Sequence, residues 1–76
     1  MHRQSLEPLI LPDDSLSIPS GAGDHGGRTL ICILVENKMG KVRYKFFDEG
    51  EIFWVDDHAC LHYLNKGAII VKGDML

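Results

Sequence analysis

The fold is decided by residues 29–71, which read TLICILVENKMGKVRYKFFDEGEIFWVDDHACLHYLNKGAIIV. Residues 29–35 are a continuous apolar run rich in β-branched side chains, which predicts a strand. Residues 41–46 alternate basic and apolar side chains, the two-residue period of a half-buried strand. Residues 51–55 are mostly apolar and predict a third strand. Polar segments that contain glycine separate these runs and predict hairpin loops.

A helix is predicted after the third strand. Asp56 or Asp57 can cap its first N–H groups, and Gly67 can end it in a left-handed conformation. Residues 68–71 are apolar again and predict a short final strand. The order β-β-β-α-β indicates an α+β fold, with a small, mostly antiparallel sheet and one helix on one of its faces.

The first 28 residues differ in composition from the rest of the chain. They contain all three prolines and no aromatic residue, whereas all six aromatics lie in residues 29–76. A segment without large apolar groups gains little from burial to offset its conformational entropy. We therefore predict a flexible or extended arm over residues 1–28 and a compact α+β domain over residues 29–76.

One face of the predicted sheet has no obvious cover. Neighbouring residues on a strand point to opposite faces, so the apolar pairs at residues 46–47 and 53–54 place large side chains on both sides. Either the arm or another subunit must cover the face that the helix leaves open, and the size of the chain favours another subunit. The residues predicted to make contacts between subunits are Leu9, Ile10, Leu11, Phe47, Phe53 and Trp54.

Composition restricts the classes of function. The chain has 76 residues, a formal net charge of −3 and two cysteines, Cys32 and Cys60. Two cysteines in apolar runs predict reduced core thiols, although a bridge between them stays open without geometry. The negative charge argues against a nucleic-acid partner. No apolar run has the length of a membrane span or a signal peptide, so we expect neither a membrane partner nor secretion.

Three motifs suggest chemistry and have simpler interpretations. Residues 21–26 match G-x-G-x-x-G, but no helix follows to hold a phosphate, so they are interpreted as a flexible linker. His58 and His62 lie four residues apart on the predicted helix and are the candidate pair of metal ligands. The simpler interpretation is that they are two surface histidines that bind no metal. Asp56 and Asp57 are explained by helix capping. We therefore expect no catalytic residues, no cofactor and no metal.

The segment from Val42 to Val71 resembles small accessory proteins of tailed bacteriophages. The resemblance lies in the Gly50-Glu51 strand, the acidic cap, the helix with Ala59, Leu64 and Gly67, and the closing strand. It implies a virion protein made in the host cytoplasm: a capsid decoration, cement or head–tail joining protein that binds neighbouring subunits. The alternative is an intracellular adaptor or regulator in the cytoplasm that binds one protein partner, or a small metal-binding protein that uses His58 and His62.

Overall fold

Five antiparallel strands and one helix make up the chain in a computed structural model, which describes residues 7–73. The strands are β1 (Ser15–Ser17), β2 (Thr29–Lys38), β3 (Lys41–Asp48), β4 (Glu51–Asp56) and β5 (Ile69–Val71), and the helix α1 (Asp57–Asn65) lies between β4 and β5. Their order in the sheet is β4-β3-β2-β1-β5. The predicted α+β class, with a small antiparallel sheet and one helix, is confirmed.

Two tight hairpins determine the register of the central strands. Met39-Gly40 joins β2 to β3 and Glu49-Gly50 joins β3 to β4, and all four residues have positive φ angles between 49° and 87°. Positive φ at both central positions is the type I′ geometry, whose twist matches that of the flanking strands. The first hairpin loop is therefore two residues long rather than the five predicted, and β2 continues to Lys38.

The helix begins and ends as its sequence predicts. The Asp56 side chain accepts a hydrogen bond from the Ala59 N–H at 2.8 Å. At the other end, the Gly67 N–H bonds to the Leu64 carbonyl and the Ala68 N–H to the Tyr63 carbonyl. Gly67 has a φ of 105°, so this end is a Schellman motif. Because α1 connects β4 to β5, it joins the two edges of the sheet.

The segment predicted as an arm belongs to the sheet. β1 pairs with β2 on one side and with β5 on the other, so it lies inside the sheet between two longer-range partners. Ile10, Leu16, Ile18 and Ala22 are buried in the same core as residues of β2, β3 and α1. The structure thus differs from a division of the chain at residue 28. The first six residues of the predicted arm lie outside the described residues.

The glycine-rich segment that follows β1 is a closed loop rather than a linker. The Gly27 N–H bonds to the Ile18 carbonyl at 2.8 Å, and the Ile18 N–H bonds to the Arg28 carbonyl at 2.9 Å. Inside the loop, the His25 ring stacks on Phe53 of β4 with 4.7 Å between ring centroids. These contacts hold residues 19–28 against the side of the sheet that α1 covers.

Candidate interaction surface

The side of the sheet opposite α1 carries most of the exposed large apolar residues. Phe47 of β3 lies between Ile31 of β2 and Ile52 of β4. In the next row on the same face, Lys45 of β3 lies between Leu34 of β2 and Trp54 of β4. Paired residues in an antiparallel sheet point to the same face. We name this side the outer face and define it by Ile31, Leu34, Phe47, Ile52, Trp54, Ile69 and Val71.

The large apolar residues of the outer face are open to solvent. Its side chains are between 37% and 59% exposed. Taking about 200 Å², the value for a large aromatic side chain, as an upper limit for each residue, the seven together leave at most about 650 Å² exposed, and Ser15 and Ser17 of β1 separate Ile69 and Val71 from the other five. The largest apolar patch on a typical monomer is about 300–600 Å², and a standard protein interface buries about 800 Å² per partner. The outer face is therefore comparable with the largest apolar patches of monomers, which are often functional, and smaller than a standard interface.

A bulge in β2 adds a further apolar residue to this region. The register between β2 and β3 shifts between Cys32 and Leu34, so Ile33 has no opposite residue in β3. Its side chain is 42% exposed. Bulges bend a strand and increase its twist, and this one lies near the middle of the apolar region.

Basic side chains hold Trp54 in place at one end of the outer face. The Arg43 guanidinium carbon lies 4.3 Å from the centroid of the Trp54 ring, and the Lys45 ammonium lies 5.3 Å from it. Arg43 also forms an ion pair with Glu36 at 2.7 Å. Cation–π contacts of this kind are worth about 0.5–1 kcal/mol at exposed sites. The basic strand therefore orients an aromatic side chain that a partner could contact.

Of the three aromatic residues predicted as contacts, the structure brings two together. Phe47 and Trp54 both lie on the outer face and are each 37% exposed. Phe53 points to the opposite side, where it packs against Phe46 and His25. Neighbouring residues on a strand point to opposite faces, so one residue in each of the pairs 46–47 and 53–54 had to face outward. The register of the β3–β4 hairpin determines which residue of each pair does so.

The three predicted contacts near the start of the chain have different surroundings. Ile10 is completely buried in the chain's own core, so it offers no surface to a neighbour. Leu9 is partly buried, and its N–H bonds to the Tyr44 hydroxyl at 2.8 Å. Leu11 is 49% exposed, and its N–H bonds to Asp14. The segment folds onto its own domain because its apolar residues complete that core.

Five outer-face residues were absent from the sequence prediction: Ile31, Leu34, Ile52, Ile69 and Val71. A sequence signal existed for Ile52, because a two-residue turn at residues 49–50 places it opposite Phe47. None existed for Ile69 and Val71, since their face depends on pairing with β1, a three-residue strand containing one apolar residue. Three residues are too few to show a period.

The two candidate metal ligands lie exposed on α1. His58 and His62 are four residues apart, and both are exposed. Within residues 7–73, no group of three or more His, Cys, Asp or Glu side chains is arranged to hold a metal ion. A pair of histidines would leave a zinc ion short of its usual four ligands. The metal-binding alternative stays a prediction that rests on this pair alone.

His58 also contributes to a cleft at the end of the β2–β3 hairpin. The cleft has a volume of about 620 Å³ and is lined by charged residues of both signs together with Val42 and Leu61. Two of its carboxylates already have roles in the fold: Asp56 caps α1, and Asp57 accepts a hydrogen bond from the Tyr44 hydroxyl at 2.8 Å. Those contacts tie the lining of the cleft to the stability of the helix.

The two core cysteines and Tyr44 are held in their neutral forms. Cys32 and Cys60 are both free thiols in the core. Burial raises the pKa of the Cys60 thiol to about 12 and that of Cys32 above its ordinary value, so neither is a thiolate at neutral pH. Burial likewise raises the pKa of the Tyr44 hydroxyl. The two thiols therefore contribute to core packing, and the Tyr44 hydroxyl acts as a neutral hydrogen-bonding group.

No family model, curated protein or solved structure matches this chain. The described residues contain no helix with the length and hydropathy of a membrane span, and α1 itself has nine residues. Among the described residues, the outer face is the feature that indicates a function.

Proposed function

We propose that the protein is a non-enzymatic structural subunit that binds a neighbouring protein through its outer face. The observation that carries this proposal is the set of seven exposed large apolar residues on one side of a sheet whose other side is already covered by α1 and the β1–β2 loop. Leaving such a surface in water costs about 25 cal/mol per Å² of apolar area. A partner that covers it recovers that free energy.

The partner proposed is a subunit of a larger assembly, with a virion accessory protein as the specific case. The resemblance to small phage proteins suggested this class, and the exposed outer face is compatible with it. The sequence suggested an adaptor that binds its partner through the side of α1 that carries His58 and His62. An adaptor that binds a single protein through the outer face instead differs from the virion proposal in the partner and not in the surface. The size of the complex separates them.

The test is incorporation of tagged variants into the complex isolated from the natural source. Ile31→Lys places a charge near the centre of the outer face. Met39→Lys is the matched control, because Met39 is an exposed apolar residue in the β2–β3 turn and not on that face. Native mass spectrometry would give the mass of the complex, and sedimentation would give the fraction of each variant bound.

We expect the wild type and Met39→Lys to be recovered in a multi-copy assembly and Ile31→Lys to be recovered free. If the wild type forms a complex with one partner protein and Ile31→Lys does not, the outer face remains the interaction surface. In that case the adaptor replaces the virion accessory protein as the proposed function. Equal incorporation of Ile31→Lys and the wild type would refute the outer face as the interaction surface.

A further inference from the structure

Strand β4 forms one edge of the sheet and has few of the features that usually protect an edge. Its sequence is Glu51-Ile-Phe-Trp-Val-Asp56, with four consecutive apolar residues and no proline or interior charge. Proteins usually blunt exposed edges with lysine, proline, bulges or very short strands, since unpaired backbone groups are templates for another strand. The opposite edge, β5, is only three residues long.

The hairpin geometry shows which backbone groups of β4 face outward. In a two-residue type I′ hairpin the closing pair, here Asp48 and Glu51, exchanges hydrogen bonds. Bonding then alternates along the ladder, so Phe53 and Val55 also bond to β3, whereas the N–H and C=O groups of Ile52 and Trp54 point away from it. In the part of the chain that the structure describes, no turn, loop or side-chain hydrogen bond reaches those outward groups.

We propose that β4 pairs antiparallel with β4 of a second copy of this chain, around a two-fold axis at Phe53. A two-fold axis perpendicular to the sheet keeps each face on its own side, so only registers that pair residues of the same face are allowed. With Phe53 opposite its own copy, Ile52 lies opposite Trp54 of the second chain. Their outward N–H and C=O groups then form hydrogen-bonded pairs.

Side-chain chemistry favours this register over its two neighbours. It pairs apolar Ile52 with apolar Trp54, and it places acidic Glu51 opposite Val55, so no two carboxylates face each other. The register centred on Ile52 would place acidic Glu51 opposite Phe53 and would pair Trp54 with Gly50 of the turn. The register centred on Trp54 would pair Trp54 with its own copy and would place Ile52 opposite Asp56, the carboxylate that caps α1. Directly opposed pairs contribute most to strand pairing, so the strand is self-complementary about Phe53.

Pairing of this kind produces a ten-stranded sheet with the two outer faces side by side. It uses the edge of the sheet and leaves the outer face free, so it goes beyond the proposed function. Evidence against the edge pairing would therefore leave the proposed binding by the outer face intact. A dimer would present twice the apolar area to a neighbouring protein. Two linked copies of one contact bind more tightly than either copy alone.

Hydrogen exchange of the purified full chain gives the decisive pattern. In an isolated chain, the amides of Phe53 and Val55 are protected by β3, whereas those of Ile52 and Trp54 exchange with solvent. In the proposed dimer all four are protected, and protection of Ile52 and Trp54 decreases on dilution together with the dimer mass seen by native mass spectrometry. A dimer that leaves Ile52 and Trp54 unprotected would overturn the proposal, as would a monomer in which these two amides are protected by the chain itself.

A pair of variants tests the backbone contact separately from the side chain. Ile52→Pro removes an outward N–H without removing a bond to β3, and edge positions of this kind tolerate proline. Ile52→Val keeps the N–H with a side chain of similar size. Each dimer loses two hydrogen bonds in the proline variant, so we expect its Kd to rise about 30-fold, while the valine variant stays near the wild type.

Two further readouts keep the proposal falsifiable if Ile52→Pro fails to fold. Isotope-filtered NMR of a mixed labelled and unlabelled sample should show a contact between the Phe53 α-protons of the two chains. Ile31→Lys, which alters the outer face alone, should dimerise like the wild type. Loss of the dimer in Ile31→Lys, or contacts between chains confined to outer-face residues, would show face-to-face association and overturn the edge pairing.

Discussion

Asp14 is a buried carboxylate that joins the two ends of the described chain. It accepts hydrogen bonds from the Leu11 N–H, the Gly73 N–H and the Lys72 ammonium at 2.8–3.0 Å. Gly73 packs so closely that a β-carbon there would lie 1.8 Å from the Asp13 carbonyl oxygen. Buried charges persist only where they are paired and hydrogen-bonded, and these three donors meet that requirement.

This arrangement predicts a loss of stability in acid. Burial alone would raise the pKa of Asp14, but the hydrogen bonds from Lys72, Gly73 and Leu11 outweigh it and lower the pKa below its ordinary 3.8. A carboxyl with a lowered folded-state pKa contributes stability above its unfolded pKa and loses it as pH falls through the folded value. The free energy of unfolding should therefore decrease as pH falls below about 3.8.

Asp14→Asn should remove this part of the pH dependence, measured by denaturant unfolding at a series of pH values. Lys72→Met keeps the two backbone donors, so its profile should lie between those of Asp14→Asn and the wild type. An Asp14→Asn profile that parallels the wild type through the acid range would assign the dependence to other carboxyls.

Among the elements, the short helix α1 depends on the contacts at its N-terminal end. The helix has nine residues and one fully buried side chain, Cys60. Isolated helices this short are marginal in water, so contacts at its ends matter. Asp56 caps the first turn, and Asp57 is bonded to Tyr44, which in turn accepts the Leu9 N–H.

Asp56→Ala should therefore lower the free energy of unfolding by about 1 kcal/mol, the usual cost of losing an N-cap. Asp56→Asn is the matched control, because asparagine caps about as well and removes only the charge. Thermal and denaturant unfolding would measure both variants. Equal losses in the alanine and asparagine variants would point to the charge of Asp56 and not to its hydrogen bond.

At the scale of the whole molecule, the segment before residue 29 completes the sheet. β1 supplies the partner of both β2 and β5, and Ile10, Leu16 and Ile18 fill the core. Without them β5 would have no neighbour within the described residues, because it pairs with β1. A chain of this size has little stability to lose.

A chain that begins at Thr29 should consequently fail to form the native sheet. A chain that begins at Glu7 is the control, since the strand pairings and the core cluster lie within residues 7–73. Far-UV circular dichroism and the dispersion of an amide NMR spectrum would distinguish the two. A well-dispersed, cooperatively unfolding spectrum from the shorter chain would restore the predicted domain of residues 29–76.

Features that depend on neighbouring residues could be predicted from the sequence. Alternation in β3, the presence of a glycine-containing turn before Glu51, and the cap and Gly67 stop of α1 are local effects of backbone geometry and hydrogen bonding, so they appear as patterns. The presence of one uncovered apolar face followed from the same alternation. These signals were sufficient for the α+β class.

The position of β1 and the set of apolar residues on the outer face depend on long-range pairing, and the sequence alone did not predict them. β1 is a three-residue strand stabilised by hydrogen bonds to β2 and β5, segments more than ten and fifty residues away, so no local pattern marks it. Its position determines that Ile69 and Val71 point outward and that Ile10 is buried. The energy of these contacts comes from long-range pairing and burial, which composition and periodicity do not encode.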